Sequence, residues 1–325
     1  MVKKTVLITG GAGFIGYNIL KKINKKKYKI IVIDNFSSYQ SAEYKRKFKK
    51  FIRIHNIKFL KKNIRNLKGN EIKNTKIVIH LAANPGIDIS IKKPVKDLKE
   101  NVETTLTLLE LCRKVGVEKF IFSSSNAVVG NAKLPINEKS ICNPISNYGN
   151  SKLCAENYCK VYSKIYNIKC VILRFGNVFG PGSENKKSVV ASFVKSSLNY
   201  KEIYIFGSGK QTRDFIFIDQ LISCILKCMN IKISSYEIFQ TSCGKQTSII
   251  SLAKKVKYIL KNKFNLKTEI IFKKARKGDI LHNFSSINKV KSKLNWKPKL
   301  DINKMLGKTI NDLINVYQKK NFKNN

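Results

Sequence analysis

The stretch Thr5–Asp34, TVLITGGAGFIGYNILKKINKKKYKIIVID, restricts the fold more than any other part of the chain. An apolar run (Val6, Leu7, Ile8) ends at Thr9 and meets a glycine cluster, Gly10, Gly11, Gly13 and Gly16. Phe14, Ile15, Ile19, Leu20 and Ile23 then recur at helical spacing, and a second apolar run, Ile30–Ile33, ends on Asp34. Strand, tight turn, helix and strand in about thirty residues make a parallel βαβ unit, which predicts an α/β fold built on a doubly wound parallel sheet. Gly10 permits the turn, Gly13 lets the main chain approach a pyrophosphate, and Gly16 lets the helix pack on the strand. The helix start, at Phe14 and Ile15, offers N–H groups and a positive dipole end to phosphates. Asp34 stands eighteen residues after Gly16. A carboxylate there accepts both ribose hydroxyls of an adenosine and repels a 2′-phosphate, so the expected cofactor is NAD rather than NADP.

A chain of 325 residues can bury a large core, as two domains or one domain with a large cap. No run approaches the ~20 apolar residues of a membrane helix, so no membrane association is expected. The start, Met1-Val-Lys-Lys and then apolar, superficially resembles a signal peptide, but the glycine fingerprint lies inside it. Eight cysteines (112, 142, 154, 159, 170, 224, 228 and 243) form no CxxC pair and read as small core residues in a reducing cytoplasm. His55, His80 and His282 are too widely spaced to suggest a metal site.

The formal net charge is +44, yet only seven of the 64 basic residues are Arg. Lys, Asn and Ile, all with AT-rich codons, are abundant, which points to compositional drift. A dedicated nucleic-acid surface would favour the fork geometry of Arg. No specific nucleic-acid partner is expected, only weak nonspecific polyanion binding. Residues 1–70 depart from an even spread, with 19 basic residues against two acids, Asp34 and Glu43.

Further along, a Lys-rich helix is predicted over Tyr39–Lys50, a third strand over Ile57–Leu60 and a fourth over Ile77–Leu81. Asn63-Ile64 falls where a residue can touch an adenine ring. The small residues of His80-Leu81-Ala82-Ala83 allow close approach to a cofactor. Pro94–Val115 reads as one amphipathic helix, with Leu98, Val102, Leu106, Leu109 and Cys112 on one face. The fifth strand, Lys119–Ser123, runs into Ser123-Ser124-Ser125, on the ligand-binding edge of a parallel sheet. Cys170–Arg174 is the sixth strand. Beyond it Asn177–Gly182 reads as loop, Tyr204–Phe206, Asp214–Ile218 and Glu237–Gln240 as short strands, and Ser248–Lys261 and Ile302–Tyr317 as helices.

Tyr148 and Lys152 are four apart at the start of a helix and share a face. An ammonium beside a phenol favours the phenolate, and a cationic nicotinamide adds to that, so the pair is expected to act as a general base near neutral pH. Downstream of an NAD fingerprint and a strand-end serine cluster, this spacing reads as catalytic rather than coincidental.

Together GGAGFIG, IVIDN, HLAA, FSSSNAVVG, YGNSK, RFGNVFGPG, GSGKQTRDFIFIDQ and ARKGDI resemble the extended short-chain dehydrogenase/reductase family, most of all its NAD-dependent nucleotide-sugar epimerases of the UDP-glucose 4-epimerase type. The resemblance covers nearly the whole chain. It implies a Rossmann-type NAD-binding domain over residues 1–175, with 212–242 returning to it, and a smaller C-terminal α/β substrate-binding domain mainly over 176–325. Cofactor contacts are implied at Gly10, Gly13, Phe14, Ile15, Gly16, Asp34, Asn35, Asn63, Ile64, Leu81, Ala82, Ala83, Ser123, Tyr148 and Lys152. Tyr148 is implied as the base at the sugar 4-hydroxyl. Lys152 would hold the nicotinamide ribose, and Ser125 would share the hydroxyl proton, with Ser124 the alternative. Substrate contacts are implied at Ser124, Ser125, Asn177, Phe206, Arg213, Arg276 and Asp279, the arginines suiting a pyrophosphate. The partners implied are a UDP-linked sugar and a second copy of the chain, paired through helices near Pro94–Val115 and Tyr148–Tyr166.

The chain departs from the family pattern at Asn63 (often Asp), Val129 (often Tyr) and Asn147 (often Pro). Asn283 matches a position that gates the sugar pocket, and it is smaller than the Tyr of some members, so an N-acetylated sugar is expected to fit. Related dehydratases carry an Asp-Glu pair just after the strand-end Ser/Thr, and decarboxylase relatives also use a Glu there. Asn126 and Ala127 cannot do that proton work. A non-catalytic RNA-binding member is disfavoured by the intact Ser125, Tyr148 and Lys152.

Overall fold

The computed structural model describes residues 3–37, 41–186, 188–275, 281–299 and 301–321. The first half runs β1 (Lys4–Thr9), α1 (Phe14–Lys22), β2 (Tyr28–Ile33), α2 (Ala42–Ile54), β3 (Lys58–Leu60), β4 (Thr75–His80), α3 (Ile87–Lys92), α4 (Pro94–Leu98), α5 (Thr104–Val115), β5 (Lys119–Ser125) and α6 (Asn147–Tyr166). The second continues with β6 (Lys169–Phe175), β7 (Asn177–Phe179), α7 (Val189–Tyr200), β8 (Glu202–Phe206), β9 (Thr212–Phe217), α8 (Ile218–Cys228), β10 (Tyr236–Thr241), β11 (Gln246–Ser248), α9 (Ile249–Phe264), β12 (Glu269–Lys273), α10 (Asn288–Leu294) and α11 (Ile302–Asn321).

Seven strands pair in parallel in the order β10-β6-β5-β4-β1-β2-β3. Successive side chains point to opposite faces of the sheet, and both faces are covered. Val6, Ile8, Ile121, Val171 and Leu173 join one apolar cluster with Ile19 and Leu20 of α1, Phe48 and Ile52 of α2 and Ile222 of α8. Their strand neighbours Leu7, Phe120, Phe122 and Ile172 join the other, with Leu108 and Leu109 of α5 and Ala155 and Cys159 of α6. This is why the strands are near-continuous apolar runs. Each fully buried Ile or Leu contributes roughly 1.5–3 kcal/mol.

The order of the strands turns back between β1 and β4. The crevice outside their carboxyl ends is where an open α/β sheet binds its ligand. Two smaller sheets, β11-β9-β7 and β12-β8, belong to the second half. Val190 and Phe193 of α7, Leu252 and Val256 of α9 and Leu306 and Ile310 of α11 extend the first cluster beneath them.

Local outcomes differ from the sequence expectation in physically instructive ways. The helix predicted over Pro94–Val115 is interrupted by a π-type turn at Lys99–Glu103. The wider turn rotates the apolar stripe. Leu98 ends up 56% exposed, while Asn101, Thr104 and Thr105 turn inward. The Lys-rich helix begins at Ala42, because Ser41 Oγ accepts the Tyr44 N–H at 3.1 Å, and it runs on to Ile54. Tyr39 lies outside the described residues. The helix is not wholly solvated, since Phe48 and Ile52 are buried. β5 extends to Ser125 because it stays paired with β6 as far as Phe175. The expected loop at Asn177 opens with a short strand paired to β9. Ile218 begins α8 rather than ending a strand.

Candidate active site

The turn after β1 is shaped by what it excludes. Gly10 has φ +66°, and a Cβ there would lie 2.8 Å from Ala82 N. A Cβ on Gly16 would lie 2.3 Å from Gly10 O, so α1 could not reach the strand. No side chain caps α1, which leaves its first-turn N–H groups for an anion. Asp34 Oδ2 accepts Ala12 N–H at 3.0 Å and its Oδ1 accepts Phe36 N–H at 2.7 Å. Burial raises the Asp34 carboxyl, and these two N–H groups pull it back down. Tyr44 of α2 donates to Ala12 O at 2.8 Å, so the turn is held from both sides. A bare turn, an uncapped helix start and a carboxylate at the end of β2 fit an adenosine dinucleotide.

Other residues expected at the cofactor line the same edge unequally. Leu81 and Ala82 N–H both donate to Thr9 Oγ1 at 3.2 Å, which lays the Leu81–Ala83 backbone against the glycine turn. Asn35 is exposed, and its side chain accepts Ser37 N–H at 2.9 Å. Asn63 accepts Arg65 N–H at 3.0 Å, while the Ile64 side chain is buried in the core, leaving only its backbone to face outward.

The floor of the crevice is a directed chain of hydrogen bonds. Thr9 Oγ1 accepts two N–H groups, so its own hydrogen goes to His80 Nδ1 at 2.7 Å. His80 Nε2 then donates to Thr105 Oγ1 at 3.0 Å, and Thr105 donates to Asn101 O. Burial and the Lys152 charge pull His80 down to about 3, so the ring is neutral.

Tyr148, Lys152 and Ser125 meet at the end of β5. Ser146 Oγ accepts Gly149 N–H at 3.1 Å and starts α6, which sets Tyr148 and Lys152 one turn apart. Lys152 Nζ donates to Ser123 O at 2.9 Å and lies 4.8 Å over the Phe122 ring. Ser123 Oγ donates to His80 O at 2.8 Å. The Tyr148 hydroxyl is pushed up to about 12 by burial and, less strongly, by the Asp97 charge, while a hydrogen bond to Ser125 pulls it down. Lys152 is drawn down to about 8 by burial, against the charges of Asp97 and Glu156. The chain alone therefore does not place Tyr148 near neutrality, as its sequence spacing suggested. Desolvation of the phenol wins, and the amine turns to the Ser123 carbonyl. The Ser124 hydroxyl is committed to Glu156, which Arg174 grips through Nε at 3.0 Å and Nη2 at 2.8 Å. Of the three serines, Ser125 is the one that meets Tyr148.

On the substrate side, Asn177 is exposed at the start of β7, and Arg213 lies partly buried on the neighbouring β9, donating to Thr212 O at 2.7 Å. Phe206 is partly buried at the end of β8. Arg276 and Asp279 lie outside the described residues. Asn126 Nδ2 donates to Ser285 Oγ at 2.8 Å, with Asn283 buried alongside. Asp214, overlooked in the sequence, accepts N–H groups of Cys243 (2.8 Å), Gly244 (3.0 Å) and Ser285 (3.2 Å), tying the substrate-side loops together. Also overlooked were Glu156 and Arg174, both fully buried, and Asp97 with Asn101. The available signal was polar residues on faces that periodicity reserves for apolar ones.

The fold and site define a dinucleotide-binding α/β protein of the extended short-chain dehydrogenase/reductase type. Residues 6–240 match the model of the NAD dependent epimerase/dehydratase family, and the chain belongs to that family. It is 34% identical over 313 residues to a putative UDP-glucose 4-epimerase of Methanocaldococcus jannaschii, covering 94% of this chain and 97% of that protein. Among solved structures it is similar to a UDP-glucuronic acid 4-epimerase of Bacillus cereus in complex with UDP-glucuronic acid and NAD (TM-score 0.87, 28% identity, 96% of this chain and 100% of that one). It is also similar to a UDP-N-acetylglucosamine 4-epimerase of Methanobrevibacter ruminantium in complex with UDP-N-acetylmuramic acid (TM-score 0.86, 27% identity, 97% and 100%).

Proposed function

We propose that this protein is an NAD-dependent 4-epimerase of a UDP-linked sugar. One observation carries the reading. Tyr148 is hydrogen-bonded to Ser125, beside Lys152, on the sheet edge that holds the glycine turn and Asp34. Asn126 and Ala127, which follow Ser125, supply no acid or base for dehydration. NAD+, which the glycine turn at Gly10–Gly16 and Asp34 would hold, would supply the hydride acceptor and donor for sugar C4. Tyr148 accepts the proton of the 4-hydroxyl and later gives it back. Ser125 holds that hydroxyl and passes its proton to Tyr148. Lys152 supports the phenolate by its charge and holds the nicotinamide ribose. Burial alone keeps the phenol protonated at neutral pH, so ionisation waits until positive charge is assembled beside it.

Asn177, Arg213 and Arg276 hold the diphosphate, Asp279 the nucleotide ribose and Phe206 the base. Residues 1–175 bind the dinucleotide and 176–325 mainly the nucleotide sugar. The place of β10 in the main sheet supports a return of part of 212–242 to the first unit. The working form is a homodimer, supported by the exposed Ile91, Val95 and Leu98 of α3 and α4 and Val161 and Ile165 of α6. It works in the cytoplasm. All eight cysteines are free, which accords with a reducing compartment, and no helix among the described residues is long and apolar enough to cross a membrane.

Product analysis by NMR tests the function and names the substrate. Incubated with catalytic NAD+ and UDP-glucose, UDP-galactose, UDP-GlcNAc or UDP-glucuronate in turn, the protein is expected to interconvert at least one 4-epimeric pair without net NADH. Stoichiometric NADH, or no epimer from any of the four, would contradict the reading.

A further inference from the structure

Beneath the first turn of α6 lies a carboxylate that the reaction as described does not use. Asp97 is 1% exposed at the end of α4, just before the π-type turn. Asn101, inside that turn, donates to Asp97 Oδ1 at 2.9 Å and to Ser151 Oγ at 3.1 Å. Ser151 Oγ has two acceptors for its single hydrogen, Tyr148 O at 3.0 Å and the Asp97 carboxylate. Asn101 Oδ1 accepts Asn84 N–H at 2.8 Å, which fixes the amide between the β4 edge and α6. A buried carboxylate is therefore held against the segment that carries both Tyr148 and Lys152. An uncompensated charge so deep would be costly, and no Lys or Arg pairs directly with it among the described residues.

We propose that Asp97 is a positioning residue that serves as the buried counter-charge of the Tyr148–Lys152 pair. The proposal rests on the epimerase reading for its catalytic meaning, but not for its test. The charged and titratable groups that face Lys152 are Asp97 from α4, Tyr148, Glu156 and Cys159 from its own helix, and His80 from β4. His80 is neutral, and Glu156 is bound by Arg174. That leaves Asp97 as the carboxylate acting on Lys152 without a cation of its own. Its charge raises both Lys152 and Tyr148. It keeps the ammonium protonated against burial, and it delays the phenolate until a cation is assembled at the site.

The test is a lysine 13Cε NMR titration of the cofactor-free chain, with Lys152 assigned by Lys152→Arg, alongside pH profiles of turnover. Asp97→Asn keeps the shape and an acceptor for Asn101 but removes the charge. The Lys152 midpoint, near 8 in the native chain, is expected to fall by about one pH unit, an effect on the scale of a nearby charge. The alkaline limb of kcat/KM is expected to move with it. Asp97→Glu should restore both midpoints. Asp97→Ser, smaller and also neutral, gives the same displacement and replaces Asp97→Asn should that variant not fold. A midpoint unmoved in a neutral variant, even with lower turnover, would make Asp97 a packing residue and overturn the proposal. Because the titration needs no nucleotide sugar, its failure is distinct from failure of the epimerase reading.

Discussion

His80 illustrates how one buried ring takes its charge state from its partners. Thr9 donates to one nitrogen and Thr105 accepts from the other, so there is no place for a second ring proton. The folded value near 3 lies below the unfolded ~6.5. The unfolded chain therefore binds more protons below pH 6.5, and the stability the neutral ring contributes is lost as pH falls from there toward 3. Between pH 7 and pH 5 the native chain should lose about 2 kcal/mol more than His80→Gln, measured by urea unfolding. Equal losses would mean that the ring is not held neutral. At this scale the sequence was most legible where the backbone demands one residue type at one spacing, as with Gly10 and Gly16, and Tyr148 and Lys152 do fall one turn apart on α6 as their spacing indicated. It was least legible for residues that act through contacts made by folding. Nothing in the run FSSSNAVVG shows that Ser124 turns to Glu156 while Ser125 turns to Tyr148.

Elements were legible in kind more than in extent. The strands of the main sheet read clearly because burial on both faces leaves uninterrupted Val and Ile. The helix from Pro94 was misjudged because a π-type turn preserves apolar residues while changing which of them faces in. α7, α8 and α10 escaped notice: α7 and α8 adjoin the short strands β8 and β9, so helical and strand periods run together, and α10 is only seven residues long. The join between α6 and β6 has its own test. Arg174 and Glu156 form a fully buried pair. Glu156→Gln or Arg174→Leu alone should destabilise the protein by about 3–5 kcal/mol, because each strands a buried charge. The double variant Glu156→Gln with Arg174→Leu, which leaves neither charge stranded, should recover much of that loss. Equilibrium unfolding distinguishes the cases, and a double variant as unstable as the sum of the singles would show the pair to be more than mutual neutralisation.

At the scale of the molecule, the +44 charge and the apolar helical face make opposite demands on association. Several lysines place their ammonium groups over aromatic rings, as Lys21 Nζ does over Tyr17 at 4.4 Å and Lys45 Nζ over Phe36 at 5.7 Å. They serve as solvated cover for the core as well as charge. Val95 and Leu98 of α4 and Val161 and Ile165 of α6, by contrast, are exposed apolar side chains. In sedimentation velocity the native chain is expected to run as the proposed dimer and Leu98→Glu combined with Ile165→Glu as a folded monomer; a monomeric native chain would contradict the dimer, and a dimer that survives both substitutions would place its interface elsewhere. The return of the chain to the main sheet at β10 was legible from Glu237–Gln240 only as a strand, since pairing with β6 is a property of the whole topology.

The central claim is that one sheet edge oxidises and re-reduces the same sugar carbon. Deuterium placed at C4 of whichever UDP-sugar is turned over, followed by NMR in ordinary water, tests it directly. Retention of the label at C4 of the epimer, with turnover lowered about 10²–10⁴-fold in Tyr148→Phe, is the expected result. Loss of the label to solvent, or a Tyr148→Phe protein as active as the native one, would contradict it.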